Sequence, residues 1–510
     1  AKAFSAKVTL SEDGSTITAI SFGAKAPTVV KTASSKDTIT GLLTDFNKYY
    51  VAGKGVTDEG KSVLAHDDQL TEDINNKAYG TDGNTAQDQR ALSDAQMNST
   101  NTLYDALGPV LGKYYKDAAD AGKLPKTAQF LSDMNKSAST GVAKATYQHP
   151  RPYVDRVNFN GTTLNMNGLK QTLNIKKVPG YENFDWGDGE APDNEYDGLY
   201  NSGSFPSGHT TFAFTQGAGL AYLLPELGPE IMTRVSEAGN NRIVLGVHYP
   251  LDIMGGHIAG QYGVATAVSG EKTAQEGAAA RAELVDYLTA QCKADNHGDT
   301  LDACITNTGA NAANGYRNDF TDEVSTRPVT DRASALAAYK ARMTYGFQAT
   351  GTTGQAPVVP DSAVRMLDNV AAFKSLDSAQ KKAVLAATEG DSGYPLDASS
   401  QGWARVNLAA AYSAKVTLSA DGKNVVKVEP GQAQASVVRE TSGSNGNNGG
   451  NGNGGSNAGN TGVNNASGRN PSGTQPLSKT GADMSGIASA FILIAAAGVT
   501  IMMIRRKHAI

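Results

Sequence analysis

Three separated segments carry the residues of this chain that could do chemistry together. Lys144 and Arg151 lie in KATYQHPRP, Ser207, Gly208 and His209 in SFPSGHTTFAF, and Arg242, His248 and Asp252 in NRIVLGVHYPLD. Taken singly, each has an ordinary structural explanation. A lysine and an arginine seven apart are usually a solvated helix face, a histidine beside an apolar run is usually a satisfied core residue, and Ser-Gly before a helix is usually a cap. Taken together they suit a phosphoryl group. Two guanidinium forks and an ammonium supply fixed positive charge, the forks matching paired oxygens. Ser207 and Gly208 open an apolar helical run, where backbone N–H groups and the positive end of the helix dipole favour an anion. Gly208 also lets the backbone approach an oxygen closely. Two histidines can divide the work of nucleophile and acid, and Asp252 can hold one imidazole in the correct tautomer.

In order and spacing these segments read K-x6-RP, PSGH and R-x5-H-x3-D. That pattern resembles the type 2 phosphatidic-acid phosphatase and vanadium haloperoxidase superfamily, in particular its branch of bacterial soluble acid phosphatases. The resemblance implies a helical-bundle fold and hydrolysis of phosphate monoesters through a phosphohistidine. It makes His248 the nucleophile, Asp252 its orienting partner and His209 the acid that protonates the leaving oxygen. Lys144, Arg151, Ser207, Gly208 and Arg242 then bind the phosphoryl oxygens, with no metal and no cofactor, and vanadate is expected to inhibit. The family usually has Ser before the second arginine, where this chain has Asn241, an amide that can still donate a hydrogen bond. Two other readings use the same residues: a haloperoxidase with vanadate as cofactor, and a non-catalytic surface protein that keeps the fold for binding. Pro250 interrupts any continuous helix from His248 to Asp252, so their contact is expected to rest on a turn.

These residues need elements to position them, and the flanking sequence predicts helices. Apolar residues recur at helical spacing in 91–115, 127–147, 210–224, 230–247, 252–268 and 278–292, and again in 332–347, 378–388 and 393–412. None of these segments is a convincing membrane span. FSAKVTLSEDGSTITAI at Phe4 returns as YSAKVTLSADGKNVVKV at Tyr412. Both copies alternate around an Asp-Gly turn and predict β-hairpins. Because an isolated hairpin is marginal in water, the two copies are expected to pair into one sheet. The expected class is mainly α. The divisions are a hairpin segment (1–32), a helical phosphatase core (33–330), a helical extension (331–411), a hairpin repeat (412–440), a Gly/Asn/Ser-rich linker (441–476) and a terminal segment (477–510) with a transmembrane helix.

Composition narrows the function classes. The 510 residues carry a net charge of −5, so no basic excess is available for nucleic acid. The linker cannot bury a core, and its expected reach is roughly 30–35 Å. The terminal segment holds LSKTG, an uncharged stretch from Ile487 to Ile504 just long enough to span a bilayer, and then Arg505, Arg506 and Lys507. That order resembles the cell-wall sorting signal of Gram-positive surface proteins, with Ser478 where the usual pentapeptide has Pro. It implies cleavage by a sortase between Thr480 and Gly481, attachment to peptidoglycan outside the cell, and membrane contact only through this segment. Ala1 at the start fits removal of a signal peptide. Cys292 and Cys304 are the only cysteines. They form no CxxC pair, and in an exported protein a disulfide is the expected state.

The remaining candidates are weaker. His149 and His257 match no position of the resemblance and are read as structural or supporting groups. The acidic stretch Asp185 to Gly198 lacks EF-hand spacing and is read as a solvated loop rather than a Ca²⁺ site. His66, Asp67 and Asp68 receive no role.

Overall fold

A computed structural model describes residues 38–97, 102–181, 195–309, 315–321, 325–397 and 401–441, together with the backbone of 5–10 and 17–23. The linker beyond 441, the LSKTG motif and the apolar stretch Ile487 to Ile504 lie outside the described residues. Among the described residues no helix is long and apolar enough to cross a membrane.

The chain is mainly helical. The helices are α1 (Gly60–Tyr79), α2 (Ala86–Ala95), α3 (Gly108–Asp120), α4 (Pro125–Asn135), α5 (Gly141–Tyr147), α6 (Gly208–Leu223), α7 (Gly228–Val244), α8 (Pro250–Val268), α9 (Glu271–Ala294), α10 (Leu301–Thr308), α11 (Arg332–Thr344) and α12 (Ser378–Thr388), with shorter turns between them. Helix α6 packs most closely on α7 and α8. All of α6 but Phe212 is buried, as expected of a helix that is apolar on every side. Close approach depends on small residues. A Cβ at Gly256 of α8 would lie 2.9 Å from the Ser207 carbonyl oxygen and 2.9 Å from Thr210 Cβ, so only glycine lets α8 lie directly against the start of α6.

The predicted periodic segments map onto these helices with two divisions. The 91–115 stretch breaks between α2 and α3, where Gly108 takes a positive φ and Pro109 opens the new helix. The 127–147 stretch breaks between α4 and α5 at the polar run Lys136 to Thr140. Helix α1 was not anticipated, because its buried face is built from Asp67, Asp68, Thr71, Glu72 and Asn75 as well as apolar residues, which erases the hydrophobic period.

The strands β1 (Ser5–Leu10) and β2 (Ile17–Gly23) pair antiparallel, as do β3 (Lys415–Leu418) and β4 (Val425–Glu429). Both hairpins of the repeat carry a register shift at the same place, between Thr9 and Leu10 and between Thr417 and Leu418. They do not join into one sheet, contrary to expectation. Strand β5 (Ser436–Arg439) lies parallel to β3 on its other edge, so β3 has no free edge to offer β1. Residues of the extension, among them Tyr339, Phe373, Leu385 and Trp403, share one hydrophobic core with the helices that carry the motifs. A disulfide joins Cys292 at the end of α9 to Cys304 in α10, with Cα atoms 6.0 Å apart.

Candidate active site

The candidate nucleophile sits in the turn between α7 and α8. Gly246 takes φ +68°, which an L-residue with a side chain adopts only with strain, and reverses the chain after α7. Pro250 then opens α8 instead of interrupting a helix, because its missing N–H costs nothing in the first turn. Asp252 falls in that first turn. Its Oδ2 accepts the Tyr249 backbone N–H at 3.0 Å and lies 3.0 Å from His248 Nδ1. A carboxylate so placed keeps the hydrogen on Nδ1, so the lone pair of His248 is on Nε2. Arg151 Nη1 lies 3.2 Å from that Nε2. His248 is buried, and burial followed by Arg151, Lys144 and Arg242 holds its pKa well below the ordinary imidazole value. The imidazole is therefore neutral and nucleophilic.

Three cations converge on it. Arg151 follows α5 between two prolines. Its Nε donates to the Leu199 and Ser202 carbonyls at 3.2 and 3.0 Å, and its Nη1 to the Val247 carbonyl at 2.9 Å. Lys144, partly buried on α5, donates to the Gly203 and Ser204 carbonyls at 2.6 and 2.9 Å. An ammonium has three hydrogens, so one remains for another acceptor. Arg242 at the end of α7 is 1% exposed and donates through Nη2 to the Tyr181 hydroxyl at 2.7 Å. Its Nε and Nη1 are buried without a hydrogen-bond partner among the described residues. Such N–H groups are costly to leave unpaired, and an oxyanion would satisfy them. Close to these cations stands the carboxylate of Asp252, whose pKa burial raises to about 7.

The PSGH segment forms the opposite wall. Ser207 caps α6, its Oγ accepting the Thr210 N–H at 3.2 Å and the Thr210 hydroxyl at 2.8 Å. The Ser207 backbone N–H donates to the Asp252 carbonyl at 2.9 Å. It is thus spent on joining the two motifs rather than offered to an anion, contrary to the expectation from its place at the helix start. The N–H groups of Gly208 and His209 at the start of the helix have no acceptor within α6. His209 Nε2 lies 3.1 Å from the Ala95 carbonyl of α2. Facing a carbonyl, Nε2 must carry the hydrogen, so Nδ1 is the nitrogen that gains and loses a proton. Burial and then Arg242 push the His209 pKa well below its usual value. A phosphate dianion in the pocket would offset those cations and restore its affinity for a proton.

The structure therefore brings Lys144, Arg151, Ser207, Gly208, His209, Arg242, His248 and Asp252 into one cluster. It also reveals supports with no individual signal in the sequence. Asp67 of α1, given no role above, accepts the Leu251 N–H at 3.0 Å and so steadies the first turn of α8. Asp68 pairs with Arg156 through both oxygens, at 2.6 and 2.9 Å, whereas His66 packs on Phe347. Asn241, which stands where the resemblance expects Ser, donates to Asp94 at 2.8 Å, and Asp94 also holds Arg234. This anchors α2, and with it the Ala95 carbonyl, to α7. His257 packs on Phe214 away from the cations, and its Nε2 has no partner among the described residues. Of the acidic stretch, 182–194 lies outside the described residues, and Glu195–Leu199 forms a short helix.

Comparison with known proteins finds similarity over the motif-bearing part of the chain. Residues 128–274, a span that contains all three motifs, match the sequence model of the PAP2 superfamily. Over 205 residues the chain is 33% identical to an acid phosphatase of Zymomonas mobilis, covering 39% of this chain and 61% of that protein. Over 189 residues it is 27% identical to a non-specific acid phosphatase of Providencia stuartii, covering 36% of this chain and 61% of that one. The chain thus spans about three fifths of the length of these relatives.

Proposed function

We propose that this chain is a phosphomonoesterase that transfers the phosphoryl group of an ester to His248 and then to water. The observation that carries the reading is the buried guanidinium of Arg242, with Nε and Nη1 unpartnered among the described residues, beside Arg151, Lys144 and a neutral His248. This arrangement suits a tetrahedral dianion with a nucleophile alongside. The similarity to acid phosphatases across the motif-bearing residues supports the same reading.

On this reading the residues divide the steps as follows. Arg151, Arg242, Lys144 and the N–H groups at the start of α6 hold the phosphoryl oxygens and neutralise charge that develops there. Nε2 of His248 attacks phosphorus while the ester P–O bond breaks, and Nδ1 of His209 gives its proton to the departing oxygen. Asp252 accepts the Nδ1–H of His248 throughout and stabilises the imidazolium character gained on phosphorylation. A water then attacks the phosphohistidine. His209 takes that proton back, the P–N bond breaks, and phosphate leaves.

The deciding experiment is rapid acid quench of the purified protein with a ³²P-labelled aryl phosphate, followed by peptide mapping. Label on His248, absent from His248→Ala, supports the reading, and absence of label in an active protein overturns the mechanism. Halide oxidation by peroxide in the presence of vanadate, without phosphatase turnover, would favour the haloperoxidase instead. The LSKTG motif, the apolar stretch and the basic residues after it support the further proposal that this activity lies outside the cell, attached by a sortase to peptidoglycan. Release from cells by muramidase but not by detergent is expected, and release by detergent alone would contradict covalent attachment.

A further inference from the structure

Asp252 has a second oxygen, and its surroundings form a chain that no motif accounts for. Oδ1 accepts the Ser204 hydroxyl hydrogen at 3.2 Å. Ser204 Oγ lies 2.9 Å from His149 Nδ1. A hydroxyl that gives its one hydrogen to the carboxylate can only accept from the imidazole, so His149 carries its hydrogen on Nδ1. The backbone ties the same pair together, the Ser204 N–H donating to the His149 carbonyl at 2.7 Å. Ser204 is fully buried, and His149 is enclosed by the rings of Phe46, Tyr50 and Tyr249. The donors therefore run in one direction, from His149 to Ser204 to Asp252, while His248 donates to the other oxygen of the same carboxylate.

We propose that Ser204 and His149 are positioning residues that keep Asp252 ionised and aimed at His248 during phosphoryl transfer. The inference rests on the function proposed above. Asp252 is completely buried, which disfavours its charged form. The groups that face it are Lys144 of α5, Arg151 and His149 of the segment after α5, Ser204 before α6, His248 and Tyr249 of its own turn, and Asp67 of α1. Burial raises the Asp252 pKa, and the Tyr249 N–H, Lys144, Arg151 and the Ser204 hydroxyl oppose that rise. Burial and then the charge of Asp252 hold the neighbouring Asp67 carboxyl well above its usual range. Ser204 is the side-chain hydroxyl in this set, and His149 fixes which way its hydrogen points. Removing that donation moves Asp252 toward its protonated form. A protonated Asp252 no longer supports the imidazolium character of His248, so the acid limb of the kcat–pH profile moves to higher pH.

The test is the pH dependence of kcat and KM on an aryl phosphate for the full chain and for Ser204→Ala, Ser204→Thr, His149→Asn and His149→Gln. Turnover and label on His248 in the unsubstituted protein establish the underlying function, and their absence overturns that reading whatever the variants do. Given that activity, Ser204→Ala is expected to raise the acid limb by about one to two pH units, the worth of a hydrogen bond to a charged group. KM above the limb should stay near the parent value, and Ser204→Thr, which keeps the hydroxyl, should restore the limb. Asn at 149 presents an amide N–H close to where Nδ1–H stood and should keep the limb low, whereas Gln should not. This pair reads the chain independently if Ser204→Ala fails to fold. An unmoved acid limb in Ser204→Ala, or the same limb for His149→Asn and His149→Gln, overturns the inference.

Discussion

Asp252 holds His248 through the oxygen that also caps its own helix: Oδ2 accepts the His248 Nδ1–H at 3.0 Å and the Tyr249 backbone N–H at 3.0 Å. The orientation of the nucleophile and the start of α8 are therefore one structural feature. Asp252→Asn keeps the shape but presents a neutral group that no longer enforces the Nδ1–H tautomer. A fall in kcat of about 10³–10⁴-fold is expected, comparable to loss of the carboxylate beside a catalytic imidazole elsewhere. KM should change far less, and a large rise in KM with unchanged kcat would contradict the role.

His209 should matter in proportion to the leaving group's need for a proton. General acid catalysis is worth about 10²–10⁴-fold. An aryl phosphate with a stable phenolate needs little of it, and an alkyl phosphate needs most. His209→Ala should lose much more kcat/KM on the alkyl ester, whereas His248→Ala should fail on both. Equal losses on the two esters for His209→Ala would remove His209 from the acid role.

Arg242 links affinity to stability. Its Nε and Nη1, buried without a hydrogen-bond partner among the described residues, are costly to leave unpaired and reward an oxyanion. Orthophosphate at one hundred times its Kd should stabilise the protein by about 2.7 kcal/mol. Arg242→Met should bind orthophosphate about 10–100-fold more weakly, from loss of hydrogen bonds to a charged group. Without phosphate it should be at least as stable as the parent. Thermal melts with and without phosphate measure both, and an undiminished phosphate shift in the variant would contradict the assignment.

Buried histidines should make the fold sensitive to acid. In the unfolded chain a histidine takes up a proton as pH falls through about 6.5. His257, 4% exposed and held well below that value by burial, does not. The unfolded state then binds more protons, so stability present above about pH 6.5 is lost below it, by about 1.4 kcal/mol per pH unit for this one group. Denaturant unfolding at pH 7, 6 and 5 should show His257→Leu losing less stability per pH unit than the parent by that amount. His257→Leu should retain turnover, because His257 lies apart from the cations. Parallel pH dependences would show that His257 is charged in the fold.

The Cys292–Cys304 disulfide closes a short loop between α9 and α10. A loop of this size is worth about 3 kcal/mol in the chain-entropy account. Cys292→Ser with Cys304→Ser should lower the unfolding free energy by about that much and leave kcat unchanged, since neither helix supplies a pocket residue. A loss of kcat would tie α9 and α10 to the site in a way its geometry does not suggest.

Sequence alone was enough to single out the residues of the candidate site. Lys144, Arg151, Ser207, Gly208, His209, Arg242, His248 and Asp252 were legible because phosphate binding and acid–base work demand particular residue types. Such residues are recognisable at short spacing without knowledge of their neighbours. The helical class was legible for the same local reason, since α6 and α8 carry long, largely apolar runs in consecutive residues. Helix α1 was not, because its buried face is half polar and is satisfied largely by partners far along the chain, such as Asp67 with the Leu251 N–H and Glu72 with the Asn174 N–H. Tertiary structure alone decided that the hairpins stay apart, because β5 occupies the edge of β3. It also decided that the Ser207 N–H serves Asp252, that Ala95 selects the titrating nitrogen of His209, and that Ser204 and His149 stand behind Asp252. Each of these depends on where a hydrogen bond ends, and hydrogen bonds of 2.6 to 3.2 Å between distant segments leave no periodicity in a sequence.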